Sequence, residues 1–90
     1  MNGWYDFLRD IDKVPTSEGV YLLAETASEQ GIVYAGRADN LRERLSQHPD
    51  PNNPCLQRKN IRFFSYEVTT FSESRERALI SRYNPECNRT

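Results

Sequence analysis

The side chains of this chain that could do chemistry are one carboxylate, two tyrosines, two arginines and the single histidine. Glu76 is the first to examine, because at 100° per residue it lies at the centre of the apolar arc that Leu79, Ile80 and Tyr83 form on the last predicted helix. A carboxylate on a buried face is costly unless a cation or hydrogen-bond donors compensate its charge. Glu76 is therefore predicted either to hold a metal ion or to pair with an arginine from another element.

A second group borders the helix predicted over residues 38–48. Two leucines form the apolar stripe of this helix, and Arg37, Arg44 and His48 lie along one flank of the stripe. A guanidinium fork can bind phosphate oxygens, and an imidazole can accept a proton near neutral pH. For any one of these residues taken alone, the alternative is a place on the solvated rim of the helix, with the arginine side chains extended along the surface. The three together favour a phosphate site.

Tyr21 and Tyr34 lie in two β-prone runs, residues 19–25 and 32–36, which predict a hairpin. Cross-strand partners share a face of the sheet, so a register that sets the tyrosines opposite each other points both rings to one side. Packing is the alternative role, since tyrosine is a favoured strand residue.

The remaining pattern predicts the elements that position these residues. They are a short N-terminal helix ending near residue 14, the hairpin, the helix over 38–48, a third strand over 61–69 and a final helix from about residue 70 to just before Pro85. Thr70 and Glu73 have the spacing of a capping box. The order predicts a single-domain α/β sandwich over residues 1–90, with helices covering a three-stranded antiparallel or mixed sheet.

Composition argues against several classes of protein. Cys55 and Cys87 are far apart without a C-x-x-C spacing and His48 is the only histidine, so neither a zinc cage nor a disulfide framework is predicted. The first twelve residues contain no apolar run suited to a signal peptide or a membrane span. We therefore expect a cytoplasmic protein without membrane contact.

Charge is nearly balanced, at −1 overall. Residues 1–30 have six acidic and two basic side chains, whereas residues 31–90 have ten basic and seven acidic ones. A polyanion could approach the later part of the chain, but with weak, sequence-independent affinity that involves about three or four phosphates.

Taken together, the candidate residues resemble the catalytic set of the GIY-YIG nucleases. Gly19-Val20-Tyr21 and Tyr34-Ala35-Gly36 match the two tripeptides of that family, with valine and alanine in place of isoleucine. Arg44 follows Gly36 by eight residues and His48 follows Arg44 by four. Glu76 and Asn88 then match the glutamate helix and the terminal asparagine. The resemblance covers about residues 15–89.

This resemblance implies a metal-dependent endonuclease that hydrolyses a DNA phosphodiester bond. It implies one Mg²⁺ or Mn²⁺ ion held by Glu76, with Arg44 neutralising charge on the phosphoryl oxygens and Tyr34 positioning the phosphate. Either Tyr21 or His48 would accept a proton from the attacking water, and the sequence leaves that choice open. We expect the five catalytic residues to converge in one shallow cleft on a face of the sheet: Tyr21, Tyr34, Arg44, His48 and Glu76.

Other residues would support the site or its substrate. Asn88, Gly19 and Gly36 are expected to brace it, and Arg37, Arg58 and Lys59 are expected to contact DNA. Cutting would be structure-selective or weakly sequence-specific, in repair or recombination, with a partner protein or a homodimer supplying specificity. The alternative is a non-catalytic nucleic-acid-binding or protein-interaction module that retains this fold.

Overall fold

A four-stranded sheet with helices on both faces forms the molecule. The computed structural model describes residues 1, 3–48 and 52–89. The strands are β1 (Tyr5–Asp6), β2 (Gly19–Ala24), β3 (Ile32–Ala38) and β4 (Phe63–Val68), and the helices are α1 (Leu41–Ser46), α2 (Pro54–Gln57) and α3 (Ser72–Tyr83). Three short 3-10 helices complete the described elements: Ile11–Lys13, Glu29–Gly31 and Glu86–Asn88.

The strand order in the sheet is β1-β4-β2-β3, and every neighbouring pair is antiparallel. The predicted α/β sandwich is therefore confirmed, as are the hairpin of β2 and β3 and the third predicted strand, here β4. The sheet has one strand more than predicted, because the short strand β1 pairs with β4. Strand β3, which contains the candidate residues Tyr34, Gly36 and Arg37, lies at the opposite edge.

The helix predicted at the N-terminus is wrong. Residues 4–14 instead form β1, a turn and the 3-10 helix Ile11–Lys13. The carboxylate of Asp6 accepts a hydrogen bond from the backbone of Leu8, and the carboxylate of Asp10 accepts one from the backbone of Asp6. Such local bonds compete with helical hydrogen bonding. Leu8, which the helical pattern placed on a buried face, is 88% exposed.

The sheet buries a different apolar cluster on each face. Alternate residues of β2 point to opposite sides, as expected for a strand. Tyr21 and Leu23 pack in the cluster that includes Leu41 and Leu45 of α1, whereas Val20 and Leu22 pack in the cluster that includes Leu79 of α3. Helix α1 thus covers one face and α3 covers the other.

Helix α1 is shorter than predicted. It begins after Ala38, which is still part of β3, and the Asn40 side chain caps it by accepting a hydrogen bond from the Glu43 backbone. It ends at Ser46, so His48 lies just beyond the helix. The predicted turn-rich loop over 49–54 has residues 49–51 outside the described part, and Pro54 begins α2.

Helix α3 begins at Ser72, and its N-cap position is Phe71, which makes no side-chain cap bond. The predicted capping box of Thr70 and Glu73 is therefore wrong. The helix ends at Tyr83, because Asn84 adopts a left-handed conformation before Pro85. No helix among the described residues is long and apolar enough to cross a membrane.

A disulfide joins Cys55 to Cys87, contrary to the expectation from their spacing. Their Cα atoms are 5.4 Å apart, although 32 positions separate them along the chain. The fold brings α2 against the 3-10 helix Glu86–Asn88, and this proximity is a property of the topology that no local motif encodes. The bond ties the segment beside α1 to the segment that contains Asn88.

Candidate functional site

A cleft of about 460 Å³ opens between helix α1 and the sheet face that it covers. Four of the five predicted catalytic residues line this cleft: Tyr21, Tyr34, Arg44 and His48. The other lining residues are Leu23, Leu45, Gln47, Asn52 and Leu56. Residues from two strands and from the region of α1 thus meet in one place.

The strand register brings the two tyrosine rings together. Tyr21 is opposite Gly36, and Leu23 is opposite Tyr34, so the tyrosines are diagonal neighbours rather than direct partners. They still share a face because they are two residues apart in register. Their ring centroids are 6.1 Å apart, with 40° between the ring planes. The predicted common face is confirmed.

Gly36 is the residue that lets both rings lie against the backbone. A Cβ atom at this position would be 2.6 Å from the Cζ and hydroxyl of Tyr21 and 2.8 Å from Cε2 of Tyr34. Gly19 has a different role. A Cβ there would collide with the carbonyl oxygen of Glu67 and the side chain of Leu41, so Gly19 allows close packing of β2, β4 and α1.

Arg44 presents its positive charge to the cleft. Its side chain is exposed, and none of the described residues forms an ion pair or a side-chain hydrogen bond with it. Arg42 on the same helix differs, because its guanidinium donates to the carbonyl oxygens of Val14 and Asp12. An uncompensated guanidinium beside two phenols is suited to an anion such as a phosphate.

His48 is half-buried at the border of the cleft and stacks on Phe7, with ring centroids 4.6 Å apart. Burial lowers the pKa of this imidazole from its ordinary value, because the charged form loses solvation. The imidazole is therefore neutral at neutral pH and can accept a proton.

Asn88 braces the edge strand β3. Its side-chain oxygen accepts a hydrogen bond from the backbone N–H of Ala35, and its side-chain nitrogen donates to the carbonyl oxygen of Ala35. The amide thus imitates a neighbouring strand at the open edge of the sheet. It thereby holds the backbone of Ala35, the residue between Tyr34, which lines the cleft, and Gly36.

Glu76 lies on the other side of the sheet from the cleft. Helix α3 packs on the face of Val20 and Leu22, which is opposite to the face of the two tyrosines. The prediction that all five catalytic residues meet on one face of the sheet is therefore wrong for Glu76. Along α3, Ser72 binds Arg37 and Leu79 packs near Ala35. By helical spacing, Glu76 falls on the stripe of α3 between these two residues.

Glu76 forms no ion pair or hydrogen bond with any of the described residues, so the alternative role of structural ion pairing finds no support there. Its neighbour Arg75 instead donates to both carboxylate oxygens of Glu67. The described part of the chain also contains no cluster of three or more metal-ligating side chains. Any metal at Glu76 would therefore have few protein ligands.

The three residues expected to contact DNA have different surroundings. Arg37 donates to Ser72 and to Asp39, and its guanidinium is also 3.8 Å from the carboxylate of Glu18. Lys59 is 2.8 Å from the carboxylate of Glu86. Arg58 is exposed and forms no ion pair within the described residues. Neighbouring carboxylates thus offset two of the three charges.

Sequence reasoning did not identify Phe7, Gln47, Asn52 or Leu56 as neighbours of the site. Phe7 was missed because residues 4–14 were expected to be helical. No motif marks the other three, whose position depends on how α1 and α2 meet.

Comparison with known proteins identifies the family. The model of the GIY-YIG catalytic domain family matches residues 17–89. UvrABC system protein C of Dictyoglomus thermophilum is 30% identical over 88 residues, which cover 92% of this chain and 14% of that protein. The protein of the same description from Mycoplasmopsis agalactiae is 31% identical over 90 residues, covering 92% of this chain and 15% of that protein. The chain thus spans about a seventh of the length of these relatives.

Solved structures share the fold. The GIY-YIG N-terminal endonuclease domain of UvrC from Thermotoga maritima, in crystal structures of point mutants bound to its catalytic divalent cation, superimposes with TM-scores of 0.73 and 0.70. The identities are 22% and 23%, and the alignments cover 90% and 93% of this chain and 92% and 96% of those chains. By sequence match, fold and arrangement of motifs, this chain belongs to the GIY-YIG catalytic domain family.

Proposed function

We propose that this chain is an endonuclease domain that hydrolyses a phosphodiester bond in DNA with one bound divalent cation, Mg²⁺ or Mn²⁺. The observation that supports it most is the cleft that Arg44, which has no ion pair among the described residues, lines together with two tyrosines and a neutral imidazole. Membership of a catalytic domain family supports the same reaction class. The relatives described as UvrABC system protein C favour a role in DNA repair.

Glu76 would hold the cation. Its carboxylate has no ion pair or hydrogen bond among the described residues, and by helical spacing it lies on the same stripe of α3 as Ser72, which binds Arg37 of β3. A hard cation with one carboxylate ligand keeps most of its waters, which is typical of Mg²⁺. When bound, such an ion supplies Lewis-acid stabilisation of the phosphate and its leaving oxygen.

The side chains of the cleft would do the remaining work. Arg44 binds the phosphate oxygens and neutralises charge that develops on them, and Tyr34 orients the phosphate. Of the two candidates for the proton acceptor, we propose His48, because burial keeps its imidazole neutral at the pH where a base is needed. Tyr21 then positions the attacking water beside Gly36.

Substitution of Arg44 by alanine should lower the initial rate of plasmid nicking by about a hundredfold to a thousandfold, as for the loss of a preorganised charge at a reacting oxyanion. The melting temperature should change little, because the guanidinium makes no bond within the described residues. Rates are measured on supercoiled plasmid with Mg²⁺ and again with EDTA.

The matched control for this experiment is Arg77→Ala, which removes the same charge from an exposed position of α3 away from the cleft. Equal losses in both variants would show that Arg44 acts only through net charge. Nicking by the unsubstituted chain that is insensitive to EDTA would contradict the dependence on a divalent cation. No nicking of any DNA would instead favour the non-catalytic binding module.

Affinity for featureless duplex should be weak and only slightly dependent on salt. Because Arg37 and Lys59 already face carboxylates, Arg44 and Arg58 remain as the main phosphate contacts. About two neutralised phosphates give a slope of log K against log salt near −2, with micromolar or weaker binding. Binding of the Glu76→Ala variant across a salt series measures this slope, and nanomolar affinity at physiological salt would contradict it.

Substrate choice would then depend on DNA structure or on a partner. We propose that the cutting is structure-selective or weakly sequence-specific and that a partner protein or a homodimer supplies the specificity. The proposed location of the reaction is the cytoplasm. A panel of nicked, flapped, branched and plain duplex DNAs compares these substrates directly. Equal rates on all of them would contradict structural selectivity.

A further inference from the structure

Phe7 contacts the site from outside the family-matched residues 17–89. Its ring stacks on the imidazole of His48, with 20° between the two planes. His48 lies two residues after the end of α1, and none of the described residues forms a hydrogen bond with its imidazole. Within the described chain, the aromatic stack with Phe7 is therefore the specific interaction that this imidazole makes.

Phe7 is itself firmly held by the sheet. Its backbone N–H donates to the carbonyl oxygen of Arg62, which extends the pairing of β1 with β4 by one residue. Its ring lies 4.8 Å from that of Phe64, a fully buried residue of β4. Tyr5 also stacks on Phe64, with ring centroids 5.5 Å apart. The orientation of the Phe7 ring thus depends on the N-terminal strand.

The surroundings of His48 offer little to stabilise a proton on its ring. The other titratable side chains described in the cleft are Tyr21, Tyr34 and Arg44, none of which is a carboxylate. Burial, to which the Phe7 ring contributes by covering one face, lowers the pKa of the imidazole. Since the unfolded chain takes up this proton at higher pH than the folded one, protein stability falls as pH drops below about 6.5.

We propose that Phe7 is a positioning residue of the nuclease site, which fixes the plane of the His48 imidazole and shields one face of it from water. The N-terminal segment before the family-matched region thereby supports a residue that lines the cleft. The activity part of this inference rests on the proposed function, whereas the effect of Phe7 on His48 can be measured without any substrate.

The first test is an NMR titration of His48, which is unambiguous because the chain has a single histidine. In Phe7→Leu, the midpoint of the imidazole titration should move upward from its lowered value toward about 6.5. The matched control is Trp4→Leu, which removes an aromatic ring from the same N-terminal segment. Trp4 packs on the other face of the sheet, so this control should leave the midpoint unchanged. An unchanged midpoint in Phe7→Leu, or an equal rise in both variants, would overturn the proposal.

The second test is the pH profile of cleavage. Phe7→Leu should lower kcat at pH 7 about tenfold or more with KM within about twofold, because a misplaced base slows the reaction without removing a phosphate contact. The acid limb of the pH profile should shift to higher pH together with the NMR midpoint. Phe7→Tyr, which keeps an aromatic ring, should have the kcat and the midpoint of the unsubstituted chain. A profile identical to that of the unsubstituted chain would overturn the positioning role. Absence of cleavage in the unsubstituted chain would refute the proposed function and leave the NMR result to stand.

Discussion

Replacement of Glu76 by alanine is expected to reduce Mg²⁺-dependent cleavage by at least about a thousandfold while the melting temperature stays within about 3 °C. The activity is lost because Glu76 is the proposed protein ligand of the cation, whose stabilisation of the transition state amounts to several kcal/mol. The fold is retained because the described residues form no ion pair with this carboxylate. Cleavage rates and thermal melts of the same preparation measure both effects.

Glu73→Ala is the matched control for this variant. Glu73 is an exposed carboxylate one turn earlier on α3, so its removal changes the net charge equally. The control should cut DNA at the normal rate. Normal cleavage by Glu76→Ala would refute the role of Glu76 as the metal ligand. A large fall in the melting temperature of this variant would instead indicate that Glu76 forms a structural ion pair.

Features that follow from local periodicity could be predicted from the sequence. The hairpin of β2 and β3 follows from two apolar, β-prone runs, and its common tyrosine face follows from the two-residue period of a strand. The last helix follows from a repeated apolar arc, ended by Asn84 before Pro85. Within these elements Tyr21, Tyr34 and Arg44 were placed correctly in one cleft.

Features that depend on which elements meet could not be predicted. The disulfide joins cysteines 32 positions apart that no motif relates. The N-terminal residues have helical spacing, but Asp6 and Asp10 bind the backbone locally and the chain gains more by pairing with β4. The face of the sheet that α3 covers could not be predicted either. An apolar arc shows that a helix packs on a sheet, but it does not show on which face. For that reason Glu76 was expected on the same face as the tyrosines.

The second large effect is expected from Gly36→Ala, in which a single methyl group should lower the cleavage rate about a hundredfold or more. The new Cβ would lie 2.6 Å from the phenol ring of Tyr21 and 2.8 Å from that of Tyr34, so both rings must move away from the backbone. A displacement of about 1 Å in a catalytic group can cost a hundredfold in rate. Overpacking should also destabilise the fold by about 1–3 kcal/mol, partly offset by the reduced freedom of the unfolded chain.

Because this variant is expected to lose both activity and stability, the comparison must separate them. Leu22→Val, on the adjacent strand but facing α3, should lose a similar amount of stability without touching the tyrosines. Rates are measured well below both melting temperatures, where only Gly36→Ala should be slow. In combination with Tyr21→Phe, the loss from Gly36→Ala should be smaller than in the single variant, because both changes disturb the same ring. Strict additivity of the two losses, or equal slowing of Leu22→Val, would show that Gly36 supports the fold rather than the placement of the tyrosines.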